Sequence, residues 1–465
     1  MPLTRRDVLR ATAGGVLAAT LPQQAEARIP RNQLRELRSR VRGVVSAPGD
    51  SGYDAARLVF NRRFDAIRPP AVVRVRDTAD VQAVVRWAGR HDVPLVVRSG
   101  GNAYNGASTS GAAVVLDVGG LDRFALADDG VATVGPGLRN LPLYRKLARR
   151  GLVVASGSCP NIAIGGLATG GGMGLAGRAL GLTLDRVTAF DVVTADGERD
   201  RVQAGSSLFW ALRGGGGSFA VVTAVQLRTQ RLRRAAWFSA AYPQNARAEA
   251  LAAWDDIAPG APAALTSICT LTATGAAAFG QFLGSETALR RLVAPLARIG
   301  GVRFSAGTSE FLDLQRRWAG CAEGGCGSVP RSSFDAASVY VARKLSARGR
   351  RRFLAAADGG ATLILDAYGG AINGVPADAT AFVHRDARFS VQIVSYSPLG
   401  VARRRVRRAH ALVAPFGNGE AYQNYADLAL RSPRRAYYGA NLERLRTVKR
   451  AVDPEGRFAP TQGIR

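Results

Sequence analysis

From about residue 67 the apolar positions alternate between two periods. Ala79 to His91 carries apolar residues at helical spacing, and Pro94 to Val97 is a continuous apolar run suited to a buried strand. Val114 to Val118, Val131 to Val134, Phe190 to Thr194 and Val221 to Leu227 read as further short strands. Leu141 to Arg150 reads as a helix ended by Gly151, a C-cap residue. Residues 28 to about 66 form an entry segment with helical pieces. From about 235 to 410 the texture shifts to longer alternating segments and Ala-rich helices, with strands at Ala236 to Tyr242 and Phe389 to Tyr396. No internal repeat or low-complexity linker interrupts the pattern. The expectation is an α+β chain with two small subdomains before residue 234.

Two glycine-rich stretches follow strand-like runs. The first is Arg98-Ser99-Gly100-Gly101-Asn102-Ala103-Tyr104-Asn105-Gly106; the second runs from Gly157 through Cys159, Gly165, Gly166 and Gly170-Gly171-Gly172 to Gly174. Each offers consecutive backbone amides with no side chain blocking approach, which suits phosphate oxygens. One such loop would read as an ordinary turn. Two, with a lone cysteine in the second, point to a large anionic cofactor. A nicotinamide fingerprint is not met at Gly135-Pro136-Gly137, because the third glycine position is Asn140 and no acidic ribose ligand follows at the expected spacing.

With these loops go Pro69-Pro70-Ala71-Val72-Val73, Asp191 to Gly197, Leu208 to Gly217, His384-Arg385, Tyr422-Gln423-Asn424-Tyr425, Tyr438-Gly439-Ala440-Asn441 and Asp453 to Phe458. In this order and spacing the chain resembles the berberine bridge enzyme-like flavin oxidases of the vanillyl-alcohol oxidase fold. The resemblance implies a PCMH-type FAD-binding domain of two subdomains over 28–234. It implies a substrate domain over 235–410, an antiparallel sheet backed by helices, and a segment 411–465 that returns to the FAD domain. It implies FAD contacts at Arg98, Ser99, Gly100, Gly101, Asn102, Asn105, Gly106, Cys159, Gly165, Gly166, Gly174, Val222 and Asn424. Relatives with doubly tethered flavin have histidine where this chain has Asn102. An amide nitrogen is not a competent nucleophile, so a histidyl linkage is excluded there. Cys159 matches the second tether, a thioether to flavin C6.

Tyr425 matches the expected base toward an alcohol, with Tyr422 in reserve and Gln392 at a substrate-facing strand position. A tyrosine that titrates near ~10 must be assisted or act in concert with hydride departure. His384 reads as structural. Ile162, three residues after Cys159, stands where bulk influences oxygen access, and Ser218-Phe219-Ala220 replaces the usual Asn-Phe-Gly.

Composition refines this picture. At 465 residues, 47% hydrophobic and 21% charged, the chain is a globular protein of about two domains. Its net charge of +28 is almost entirely arginine, because lysine occurs only at 146, 344 and 449. The arginines are dispersed, and no aromatic-interleaved module for nucleic acid is seen. Residues 1–27 read as a twin-arginine export signal: Arg5-Arg6, an apolar segment from Ala11 to Leu21, and Ala25-Glu26-Ala27 before the cleavage point. No later stretch suits a membrane anchor. In an oxidising destination Cys321 and Cys326 close a small loop or one of them pairs with Cys269. Few histidines argue against metal.

The expected function is an exported FAD-dependent oxidoreductase. It takes hydride from a CH–OH or CH–NH carbon to flavin N5 and passes electrons to O2 or another acceptor. The alternative is a flavin- or ligand-binding protein of the same fold without turnover, for which Asn102 and Ala220 speak.

Overall fold

The computed structural model describes residues 27–321, 326 and 329–465. The twin-arginine pair and most of the expected signal lie outside the described residues.

The Asp77 carboxylate caps the helix Thr78–Arg90 by accepting from the Asp80 amide. Val81, Val84, Val85 and Ala88 then fall on one buried face. That face covers the first sheet, built from β1 (Val44–Ser46), β2 (Val72–Arg74), β3 (Leu95–Arg98) and β4 (Val114–Asp117), in the order β1-β2-β4-β3. β2, β4 and β3 run parallel, and the valine-rich runs of β3 and β4 are buried almost throughout. β1 arises in the entry segment, where only helical pieces were expected.

The second sheet is antiparallel, of order β5-β6-β10-β8-β9. It uses β5 (Phe124–Leu126), β6 (Val131–Val134), β8 (Val187–Val193), β9 (Arg199–Gln203) and β10 (Val221–Arg228). A small ribbon pairs β7 (Leu152–Val153) with β11 (Gln230–Arg231).

The third sheet has seven antiparallel strands: β12 (Arg234–Pro243), β13 (Leu265–Leu271), β14 (Gly275–Phe282), β15 (Arg303–Glu310), β16 (Asp335–Val341), β17 (Thr362–Ala367) and β18 (Phe389–Ser395). Their order is β15-β12-β14-β13-β17-β18-β16. Alternation sends Phe238, Leu265, Cys269, Leu363, Leu365, Val391 and Ile393 to one face, which packs on the helices Arg247–Ile257, Ala347–Asp358 and Leu399–Val413. The opposite face presents Trp237, Phe279, Ile268, Ile364, Asp366, Ser390 and Gln392 toward the cofactor-loop side. Buried Arg178 donates to the carbonyls of Ala261, Leu265 and Tyr368, tying the helix Gly177–Leu180 to this sheet; burial lowers its pKa to about 10. Cys321 and Cys326 are disulfide-bonded, and Cys269 is a buried free thiol.

The end of the sequence returns to the first sheet. The Leu95 amide donates to Arg457 O at 2.8 Å, and the Ala459 amide to Leu95 O at 3.0 Å. Asp453 turns the chain there by accepting from the amides of Arg457 and Phe458, and it pairs with Lys449, whose Nζ also donates to Ser218 O and Phe458 O.

Candidate active site

A cavity of about 1780 Å³, counting the solvent at its mouth, lies between the two glycine loops and the third sheet. The loops are held by a shared turn. Pro136 O accepts from Ser99 Oγ at 2.6 Å and from the Gly165 amide at 2.9 Å, so one carbonyl fixes both. The turn sits so tightly that a Cβ on Gly135 would strike the carbonyl of Leu121, and one on Gly137 that of Gly119. Asn140, fully buried, fastens the second loop. Its Nδ2 donates to Cys159 O at 2.9 Å, its Oδ1 accepts from Ser156 Oγ at 2.7 Å, and its amide donates to Ile162 O.

The amides of Gly100, Gly101, Asn102 and Ala103 donate to no acceptor among the described residues. Beyond them, Gly166, Gly216 and Gly217 line the cavity with open space where a Cβ would stand. Such a row of unpartnered amides beside a bare backbone fits the pyrophosphate and ribityl chain of a dinucleotide flavin. Below it, Asn424 is locked against Gly170, where a Cβ would strike Asn424 Oδ1. Asn424 Nδ2 donates to Tyr422 Oη at 3.0 Å, and the Gly172 amide, at a positive φ of 92°, donates to the same oxygen at 2.8 Å. Tyr422 is 1% exposed, and burial pushes its pKa up to about 12.

Tyr425 stands differently. Its hydroxyl donates to Asp366 Oδ2 at 3.5 Å, and Ser390 Oγ donates to the same oxygen at 3.4 Å. Its ring lies nearly parallel to that of Tyr104 at 5.8 Å and edge-on to Tyr422 at 4.9 Å. The segment carrying both tyrosines is docked on β16, where the Tyr422 amide donates to Ser338 Oγ at 2.9 Å. A hydroxyl beside a carboxylate at a cavity wall can take a proton from a bound alcohol as it passes its own to the carboxylate.

Of the residues expected at the cofactor, Ser99, Gly100, Gly101, Asn102, Asn105, Cys159, Gly165, Gly166, Gly174, Val222 and Asn424 line this cavity, with Tyr422 and Tyr425. Three do not. Arg98 is buried behind the first loop, donating to Asp117 Oδ2 at 2.9 Å and Ala56 O, because its strand position points it into the sheet edge. Gly106 (φ 74°) lies against the ring of Phe64. Gln392 is 3% exposed and donates to Tyr104 Oη at 2.8 Å, so it steadies the aromatic wall from behind. His384 is buried on Tyr340 and shares a 2.6 Å hydrogen bond with Glu420, as a structural histidine would. Asn102 turns back on its own loop, donating to Gly100 O at 2.8 Å and accepting from Asn161 at 3.4 Å.

Sequence reasoning missed Asp366, whose signal was an acidic residue inside the apolar run of β17. It also missed the clasp at Asn140, and the closing residues Pro460 to Gly463, which line the cavity with Pro136 and are reached by Asn105 Nδ2 at Thr461 O. Among the described residues no group of acidic, histidine or cysteine side chains is arranged to hold a metal ion, and no helix is long and apolar enough to cross a membrane.

Comparison with known proteins agrees with this geometry. Residues 69–203 match the FAD binding domain model, and residues 421–465 the berberine and berberine-like model. The chain is 32% identical over 445 residues to an uncharacterized FAD-linked oxidoreductase, YvdP, of Bacillus subtilis, covering 91% of this chain and 98% of that protein. It is 27% identical to a chitooligosaccharide oxidase of Gibberella zeae over 90% of this chain and 92% of that one. The solved structure of the BBE-like 1 protein of Physcomitrella patens superposes with a TM-score of 0.88 at 28% identity, covering 93% of this chain and 99% of that one. A cofactor cradle of bare amides, the tyrosine segment against it and these end-to-end likenesses establish that the chain belongs to the berberine bridge enzyme-like family of FAD-linked oxidoreductases.

Proposed function

We propose that this enzyme oxidises a CH–OH group to a carbonyl, with Tyr425 as the general base and Asp366 as its partner. The observation that carries the proposal is the Tyr425–Asp366 hydrogen bond at the cavity wall. FAD, when bound, supplies the acceptor for the hydride at N5 and passes the electron pair to O2 or another acceptor. The chain's own residues do the rest. As the carbonyl forms, Tyr425 takes the hydroxyl proton while passing its own phenol proton to the Asp366 carboxylate, to which it already donates. Ser390 holds the carboxylate, and the stacked ring of Tyr104 keeps the phenol in one orientation. Tyr422 is a poorer base, because its oxygen already accepts from Gly172 and Asn424 and its pKa lies at about 12. Asn102, Ser99 and the glycine amides would hold FAD, and Cys159 would carry its single tether.

Tyr425→Phe removes one oxygen and little volume. We expect its flavin-reduction rate constant to fall at least ~10²-fold with a native flavin spectrum, and Asp366→Asn to fall by about tenfold or more. Normal reduction in both variants would overturn the assignment.

A further inference from the structure

We infer that the alcohol this site takes is apolar and flat, an aryl- or alkenyl-substituted alcohol, and not an oligosaccharide. The inference rests on the reading of Tyr425 and Asp366 as the pair that meets the reacting hydroxyl. Strand register identifies what surrounds that pair. Across the sheet on the same face, Asp366 stands opposite Ile268 on one side and Ser390 on the other. Two residues along β17 comes Ile364. Both isoleucines are nearly buried, at 4% and 8% exposed. The polar groups beside them are already engaged: Ser390 donates to Asp366 and Gln392 to Tyr104, while the side-chain carboxamide of Asn102 is spent on Gly100 and Asn161. Of the hydroxyls in these rows, Thr270 stands opposite Ile364, Ser338 lies beyond Gln392 and is bonded to the Tyr422 amide, Tyr340 lies beyond Ser390 and is bonded to Tyr368, and Ser239 lies beyond Phe279.

The next shell is aromatic. Phe279 adjoins Ile268 across β14 and stacks on Trp318 at 5.2 Å. Phe334 meets the Tyr104 ring edge-on at 4.8 Å, with Tyr396 beyond it at 5.6 Å. Met173 lines the cavity on the loop side. The frame therefore offers one hydroxyl-recognising pair inside apolar walls, the pattern of a site for a small apolar ligand with a single polar handle. A sugar ring would bring several hydroxyls against isoleucine and phenylalanine, and each unpaired one weakens binding.

The test uses the flavin-loaded holoenzyme. Anaerobic flavin reduction is followed with benzyl, 4-methoxybenzyl and cinnamyl alcohols, and with cellobiose, xylobiose and chitobiose. Separately, phenol and cellobiose are titrated while the flavin absorption band is monitored. We expect the aromatic alcohols to reduce the flavin about tenfold faster or more than any disaccharide at equal concentration. Phenol should perturb the band, and Ile268→Asn should weaken that effect about fivefold or more, while cellobiose leaves it unchanged. Disaccharides that reduce the flavin as fast as the aromatic alcohols would overturn the inference. So would absence of both reduction and phenol binding. Phenol binding that depends on Ile268, with no alcohol reducing the flavin, would uphold the apolar class and remove the alcohol-oxidation reading beneath it.

Discussion

Asn102 shows how much a single side chain decides here. Its amide closes a bond with the carbonyl two residues back, so the first loop keeps its shape without a nucleophile at that position. Cys159, half-buried in the cavity, is then the proposed site of a covalent bond with the flavin. After acid precipitation, Cys159→Ala should release all its flavin into the supernatant, and no flavin should be found on a peptide containing residue 102. Flavin retained in the pellet of that variant would refute the assignment. Tyr425 and Asn424 were legible because a known family carries them in a fixed motif. Asp366 was not, because one carboxylate in an apolar strand has no spacing partner; it acquires meaning only when β17 is laid beside the tyrosine segment. Arg98 and Gly106 adjoin the right residues, yet the strand end turns one inward, and Phe64 covers the other.

At the scale of elements, short strands and helices were readable from their periods, since buried parallel strands are near-continuous valine runs. What could not be read was how elements clasp one another. Asn140 sits at the start of a helix and gave no sign that it ties down a loop about twenty residues on. Two clasps make predictions. Asp453 is fully buried and balances Lys449, whose pKa burial lowers. Asp453→Asn leaves a buried ammonium without its counter-charge and should cost about 3–5 kcal/mol, read as a lowered denaturation midpoint. Glu420 faces His384. Burial is the largest influence and raises its pKa, but the hydrogen bond and charge of His384 and the hydrogen bond from Asn418 together outweigh it, and the net shift is downward from 4.5. A depressed carboxyl stabilises the fold fully above its unfolded value and loses that stabilisation as pH falls through the lower folded one. The melting temperature should therefore drop below about pH 4.5, and Glu420→Gln should flatten that acid limb. An unchanged limb in the variant would show that other carboxylates dominate it.

For the whole molecule, composition said little about function. A charge of +28 spread over sixty-three basic residues is visible in any reading of the sequence, yet many of these arginines are absorbed into ion pairs and carbonyl contacts such as those of Arg178, Arg385 and Arg407. The proposed export rests on Arg5 and Arg6. If it is right, Arg5→Lys with Arg6→Lys should leave the protein inside the cell, and unchanged secretion would remove the proposal. The general architecture followed from pattern and resemblance together. The front and back of the third sheet did not, because alternation alone does not say which face meets the cofactor.

The closing stretch of the sequence, Pro460 to Gly463, forms part of the cavity wall, and residues 457–459 flank a strand laid down more than 350 positions earlier. The cofactor chamber is thus complete only when parts far apart in the sequence have met. Until residues 457–463 dock, the glycine loops face an open side and the strand at Leu95 lacks its neighbour. Tight flavin capture then depends on that docking, which makes cofactor occupancy a natural mark of a molecule whose distant parts have come together.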